Sequence, residues 1–440
     1  MRRIKFLTSL AGSIVGFSAI ASCAILSTSG ALSSDRQEGS ANIEITDSSA
    51  EMEAGVTKAS QQIPKTKNAV YTTVFFDDFN NLDEQVWTLH STSGPASGGR
   101  YNARFRTDRS NVYVDRGHLV LDCSKTADKS DGTYKKSNGE EAPVEYIAPY
   151  ISTCDNFAMS EGRISARIKV SKGIEEGVFP FCFWTFGQNN AWPYAHEMDI
   201  LEASASASLE DRVARNGTLI PSGSRSSVLA THLHVRTSKV ADLFKESILK
   251  LNWALYEKGS HRKSIDFIKS IDPTKWHVYA AEWDKKKITY YVDGRPVASY
   301  DADELGAISA DGEIGFFYPQ DIRFNIKAGE HTTDRHGYMY IDWVKAESPD
   351  DAPCRSISHD DTHLKVGGSL YINPTFNDGC ANKAFDIEIE NDGVLVYQKY
   401  LNDASQMVVH RIIGRKPGVT TVTLRAANDK AVNSFKVTVE

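Results

Sequence analysis

From Ala69 to about Ala346 apolar and polar positions alternate in short runs broken by turn residues, among them YTTVFFDDF (71–79), NVYVDRGHLVLDC (111–123), EGRISARIKV (161–170), WHVYAAEW (276–283), KITYYVDGRPVASY (287–300) and YMYIDWVKA (338–346). A period of two puts successive side chains on opposite faces, so each run reads as a strand with one buried face. Val292-Asp293-Gly294, between two such runs, reads as a hairpin turn. Many strands at this spacing predict an all-β fold, a two-sheet β-sandwich with a concave face. One segment departs from the pattern. Val240, Leu243, Phe244, Ile248, Leu251 and Leu255 recur at helical spacing and predict a helix over about 239–257. Residues 347–361 (ESPDDAPCRSISHDD) lose the alternation and read as a linker. Short strands with glycine turns return over 362–440, and a stretch of that length predicts a small Ig-like β-sandwich.

The alternation is absent before Ala69. Arg2, Arg3 and Lys5 precede an apolar run from Phe6 to about Ile20, the layout of an export signal over residues 1–22. Ile20-Ala21-Ser22-Cys23 resembles a bacterial lipobox, in which the cysteine is acylated and becomes the mature N-terminus. The alternative is a plain cleaved signal, cut among the small residues of Ser27 to Ala31. Gly12, Ser13, Gly16 and Ser18 dilute the apolar run and argue against a retained membrane span. Residues 23–68 then read as a flexible tether, rich in Ser, Thr, Glu, Asp and Lys and too polar to repay their ordering entropy. The protein is expected to be exported, either held at the cell surface through Cys23 or secreted.

Composition adds limits. With 440 residues, 41% of them hydrophobic and 24% charged, the chain can bury a core in more than one unit. A formal net charge of -7 argues against a nucleic-acid partner. Of six cysteines, five remain if Cys23 is acylated, an odd number without metal-ligand spacing. Cys182, among aromatics, reads as a buried thiol, and a Cys354–Cys380 bridge is compatible with an oxidising compartment.

The chemistry concentrates in FPFCFWTFGQNNAWPYAHEMDILEA (179–203), where Glu197, Asp199 and Glu202 end an apolar, strand-like run. On a regular strand Glu197 and Asp199 share a face, whereas Glu202, five positions from Glu197, takes the other. One β-bulge would bring Glu202 round. Acids crowded on one face of a buried strand are costly for structure alone and suit acid/base work, in which one carboxyl is ionised while another holds a proton. Cleavage of a glycosidic bond with retention needs such a pair, one carboxyl attacking the anomeric carbon while the other protonates the leaving oxygen. The spacing leaves open which glutamate does which. An exposed, solvated strand edge is the bland alternative, disfavoured by the aromatic run before the acids and by Met198, Ile200 and Leu201 between them.

HEMDILE (196–202) resembles the bulged E-[ILM]-D-[IV]-x-E signature of glycoside hydrolase family 16, shared by laminarinases and agarases. FFDDFNNLDEQVW (75–87), NVYVDRGHLVLDC, FAMSEGRISARIK (157–169), KWHVYAAEWDKKKITYYVDG (275–294) and YMYIDWVKA are similar to other blocks of that family in the same order. The resemblance covers about 69–346 and implies a concanavalin-like jelly roll and a retaining endo-hydrolase of a β-1,3- or β-1,3/1,4-glucan or a marine galactan. It implies Glu197 as nucleophile, Glu202 as acid/base, Trp192 as a sugar contact and His234, or alternatively His232, as a cleft residue, while the residues themselves make Asp199, between the glutamates, their electrostatic partner. Trp283 is as much a core as a subsite candidate. Members often carry a structural calcium, and Asp78 and Asp342 stand near its positions, but two acids do not make a site. No other cofactor is expected. His196 replaces a common glycine, and the predicted helix and residues 209–227 would border the cleft, which puts the substrate in doubt more than the reaction. GRKPGVTTVTLRAAND (414–429) resembles bacterial Ig-like group 2 domains. The expected partner is a polysaccharide, met by a monomer whose membrane contact is only through a lipid anchor or signal. A non-catalytic glycan-binding or adhesion protein on the same fold is the alternative.

Overall fold

The computed structural model describes residues 70–440 except 100, 127–130, 137, 172–178, 189, 191, 193, 205–211, 214–218, 221–227, 238–259, 268–270, 402–406 and 428–430. The export signal, Cys23, the tether and the helix predicted at 239–257 lie outside the described residues. Of 209–227, Arg212–Val213 and Leu219–Ile220 are described, paired as a short ladder. The described residues fall within one compact unit, Ser60–Glu440.

The fold is all-β, as the alternation predicts, and the helices among the described residues are single turns, Ala96–Gly99 and Ala302–Leu305. Two large sheets face each other. One runs, strand by strand, Arg295–Asp301, Lys287–Val292, His277–Trp283, Gly162–Val170, His336–Ser348, His118–Lys125, Tyr146–Ala148, Ala103–Arg106 and Ser91–Pro95, with Thr72–Asp77 and Val112–Asp115 paired beside it. The other runs Ser260–Phe267, Val228–Thr237, Glu197–Ser204, Phe181–Gly187, Gln320–Ile326, Tyr150–Ser152 and Thr88–Leu89. Between them the inward residues, among them Phe183, Met198, Leu201, Leu233, Ile322 and Phe324 of the second sheet and Ile164, Ala281, Ile341 and Val344 of the first, form one apolar core. The predicted hairpin is present. Asp293 and Gly294 both take positive φ, 48° and 76°, as a two-residue turn between right-twisted strands requires.

A second apolar core lies under two smaller sheets. One holds Thr362–Leu364, Val432–Val439, Gly418–Ala426 and Phe385–Ile389, and the other Ser369–Tyr371, Val408–Gly414 and Leu395–Tyr400. Residues 347–361 are built into this core rather than strung between cores. Cys354 and Ile357 are buried in it, and Ile357–Ser358 pairs with Thr375–Phe376. Cys354 Sγ is directed at the Ser356 carbonyl and Cys380 Sγ at that of Asn382.

Candidate active site

The acid strand Glu197–Ser204 lies third from one edge of its sheet, between Val228–Thr237 and the wholly buried, aromatic strand Phe181–Gly187. Its register slips on both sides. Phe183 pairs with Leu201 but Trp184 with Asp199, which leaves Ile200 unmatched. On the other side Asp199 pairs with His232 and Glu202 with Ala230, again one residue too many on the acid strand. This is the bulge the sequence requires, and its consequence is geometric. Cys182, Trp184 and Phe186 alternate onto one face of their strand, and they pair with Glu202, Asp199 and Glu197. The three acids therefore share one face of the sheet, that of Cys182, Trp184 and Phe186, while Met198 and Leu201 take the other.

The same registers extend across the sheet as rows. Glu202 lies in a row with Cys182, Asn325 and Tyr150; Asp199 with Trp184, Arg323 and Ser152; Glu197 with Phe186 and Asp321, and with His234 on the opposite side. Trp192 donates its indole N–H to Glu197 Oε2 at 2.7 Å. His234 Nε2 stands 3.6 Å from Asp199 Oδ2, and the Trp192 and His234 rings lie 5.7 Å apart. Asp199 is buried at 5% exposure. One ligand atom each from Glu197, Asp199 and His234 falls within 4.8 Å of the others. Glu197, Asp199, Trp192 and His234 are thus brought together, and Glu202 shares their face by register. His232 is opposite Asp199 in register.

The turn leading into the acids is tightly made. Gly187 N–H donates to the His196 carbonyl at 3.1 Å, and a side chain at Gly187 would run into the Ala195 backbone. His196 has φ 57°, the left-handed region that favours glycine. The glycine of the resembled family thus has a conformational reason, which His196 meets at a cost. Its ring is buried beside Phe316 and Tyr318, and neither nitrogen finds a partner in hydrogen-bond geometry. Burial pushes its pKa down to about 3 against a small upward pull from the Ile308 backbone, so the imidazole is neutral.

Two features of this face escape the sequence reading. Arg323 is wholly buried, paired with Asp321 through Nε–Oδ1 at 2.5 Å and Nη2–Oδ2 at 2.7 Å, bonded to the Tyr150 hydroxyl, and covered by the Trp184 and Phe186 rings. Lys327 follows the strand Gln320–Ile326, its ammonium 4.7 Å from the centre of the Tyr101 ring. Burial would lower its pKa, but Tyr101, Cys182, Glu202 and Asp199 together outweigh burial and hold it well above the ordinary lysine value. Alternation along QDIRFNIK aligns Asp321, Arg323, Asn325 and Lys327. What the alternation hides is that this strand adjoins the aromatic one, because the pairing is made between residues more than a hundred apart in the chain.

Other expectations resolve elsewhere. Trp283 is core, 3% exposed, with its N–H on the Ser160 carbonyl. Cys182 is a buried thiol. Asp342 is engaged by Arg167 at 2.7 Å and His118 at 3.2 Å, while Asp78 receives the Asn80 amide. A carboxylate already neutralised by a guanidinium does not suit a shared calcium site.

Residues 245–345 match the family model described as Glycosyl hydrolases family 16. Among solved structures, the catalytic domain of an endo-1,3-beta-glucanase (laminarinase) from Thermotoga petrophila RKU-1 is similar at 21% identity over 64% of this chain and 99% of that one, with a TM-score of 0.43. SCLam, described as a non-specific endo-beta-1,3(4)-glucanase from family GH16, has 19% identity over 66% of this chain and 93% of its own, with a TM-score of 0.45. LamAcat from Zobellia galactanivorans has 17% identity over 63% and 98%, with a TM-score of 0.42. No curated protein matches the chain. The matched stretch of 245–345 is similar to a family of glycosidases, and a glycosidase is the class of enzyme this supports.

Proposed function

We propose that the protein is a retaining endo-glycosidase acting on a β-linked polysaccharide, a β-1,3- or β-1,3/1,4-glucan or a marine galactan. The observation that carries this reading is the bulge at Ile200, which gives Glu197 and Glu202 a common face. In retaining chemistry the two carboxyls stand roughly 5–5.5 Å apart across the scissile bond. Glu197 attacks the anomeric carbon, and the Trp192 N–H at 2.7 Å fixes the attacking carboxylate by a charge-assisted hydrogen bond. Glu202 gives its proton to the leaving oxygen, then takes one from the water that releases the sugar. Asp199, between them and beside His234, supplies the negative charge that keeps a proton available on its neighbour. Export, with lipid attachment at Cys23, belongs to the same reading, and the C-terminal sandwich is taken as Ig-like.

The test is release of reducing sugar from laminarin, lichenan, agarose and carrageenan by the wild type and by Glu197→Gln. Release from one of them, lowered by several orders of magnitude in the variant, supports the reading. Binding without release from any of them overturns it in favour of a glycan-binding protein.

A further inference from the structure

The acid-bearing face does not stay open to both edges of its sheet. Away from the acids, past Trp184, the row residues Arg323, Ser152 and Tyr150 are at most 1% exposed, although they share the acids' face of the sheet. His90, which follows the edge strand Thr88–Leu89, lies against two of them, stacked on Tyr150 at 4.5 Å with Nε2 2.6 Å from Ser152 Oγ. Against His90 stands a residue of the C-terminal sandwich, Tyr400, edge-on at 6.4 Å. Its neighbour Lys399 pairs with Asp155 at 3.0 Å, and Thr88 Oγ1 reaches the other oxygen of Asp155.

The attachment is firm. Asn382 Oδ1 accepts from Ala158 N–H while its Nδ2 donates to the Asn156 carbonyl at 2.7 Å, and Lys383 N–H donates to the Ala158 carbonyl. Met407 packs on the apolar core of the large sandwich. The turn held in this way also bonds to the loop that carries Trp192, since the Cys154 carbonyl accepts from Gln188 Nε2.

We propose that the C-terminal sandwich is the end wall of the glycan groove and sets the length of the products. This rests on the glycosidase reading above. From the acid strand to Thr88–Leu89 is four strand spacings, on the order of 19 Å. A glycan lying across the rows meets the wall within that distance and must end there or turn off the sheet. A chain that ends at the wall is held with few sugars, fixed in number, on this side of the cut, so one short oligosaccharide dominates the final products, while a chain cut internally turns off the sheet there. A tethered spacer domain would have no such effect.

The experiment uses the full chain, the polysaccharide of the panel above that it cleaves, and chromatography of end-labelled products. Asp155→Lys sets two cations against each other at the wall, a juxtaposition that loosens the attachment there. In an Asp386→Asn background, which removes the second carboxylate beside Lys399, Asp155→Lys/Lys399→Asp restores the attraction with the charges exchanged. One dominant short product from the wild type, a shift to longer and more varied products in the single variant, and return in the double variant are expected. Identical length distributions in the three proteins, or no dominant product from the wild type, overturn the wall and leave the glycosidase reading standing. Failure of the wild type to cleave any of the polysaccharides overturns the glycosidase reading, and the wall falls with it.

Discussion

The indole N–H of Trp192 meets Glu197 Oε2 at 2.7 Å, so the tryptophan is tied by its edge to the carboxylate assigned the attack. The resemblance assigns this residue to the sugar, and the structure adds a second duty. Trp192→Phe keeps an aromatic face and removes the donor. A hydrogen bond to a charged group contributes about 1.5–3 kcal/mol, which corresponds to a loss of roughly 10- to 150-fold. We expect that loss in kcat, with KM changed far less. Steady-state kinetics on the cleaved polysaccharide checks it, and a rise in KM at constant kcat would mean that the ring serves only the sugar.

His196 makes the protein sensitive to acid. Its folded pKa of about 3 lies below the 6.5 of an unfolded histidine, so between those values the unfolded chain binds a proton that the folded chain refuses. The stability tied to this residue is fully present above pH 6.5 and is lost as pH falls toward 3. His410, buried in the second core with its pKa also pushed down to about 3 by burial and by Lys399, adds a like term. His196→Gly removes the first term and suits the φ of 57°. Denaturant unfolding at pH 7 and pH 4.5 is expected to show a smaller acid loss in the variant, with proton uptake on unfolding reduced by nearly one. An unchanged pH dependence would show that the ring does titrate within the fold.

The architecture was legible because alternation is a local signal. The runs at 111–123, 161–170 and 287–300 became strands, and Asp293-Gly294 became the turn between two of them. The acid face was legible for a narrower reason, since E-x-D-x-x-E admits a common face only with one extra residue, and Ile200 is that residue. Pairings between distant strands were not legible. Nothing local to Arg323 indicates that Trp184 and Phe186 will cover it, and nothing local to Lys399 indicates Asp155. The buried residues of 347–361 were missed because Cys354 and Ile357 stand singly among polar neighbours, without a period to mark them.

Cys23 yields a separate prediction. If it is acylated, as Ile20-Ala21-Ser22-Cys23 suggests, wild-type protein partitions into the detergent phase of a Triton X-114 extraction, and Cys23→Ala moves it to the aqueous phase. Equal partitioning of the two would assign the N-terminus to a plain cleaved signal.

The proposed division of roles between Glu197 and Glu202 on one face is open to azide rescue on an activated aryl glycoside of the cleaved glycan. With Glu202→Ala the sugar still transfers to Glu197, azide displaces it from the β face, and a β-glycosyl azide accumulates. With Glu197→Ala azide attacks the substrate itself from the opposite side and an α-glycosyl azide forms. Proton NMR of the two products should show β for the first variant and α for the second. The reverse assignment would exchange the roles, and near-wild-type hydrolysis by either variant without azide would leave that glutamate with no part in the reaction.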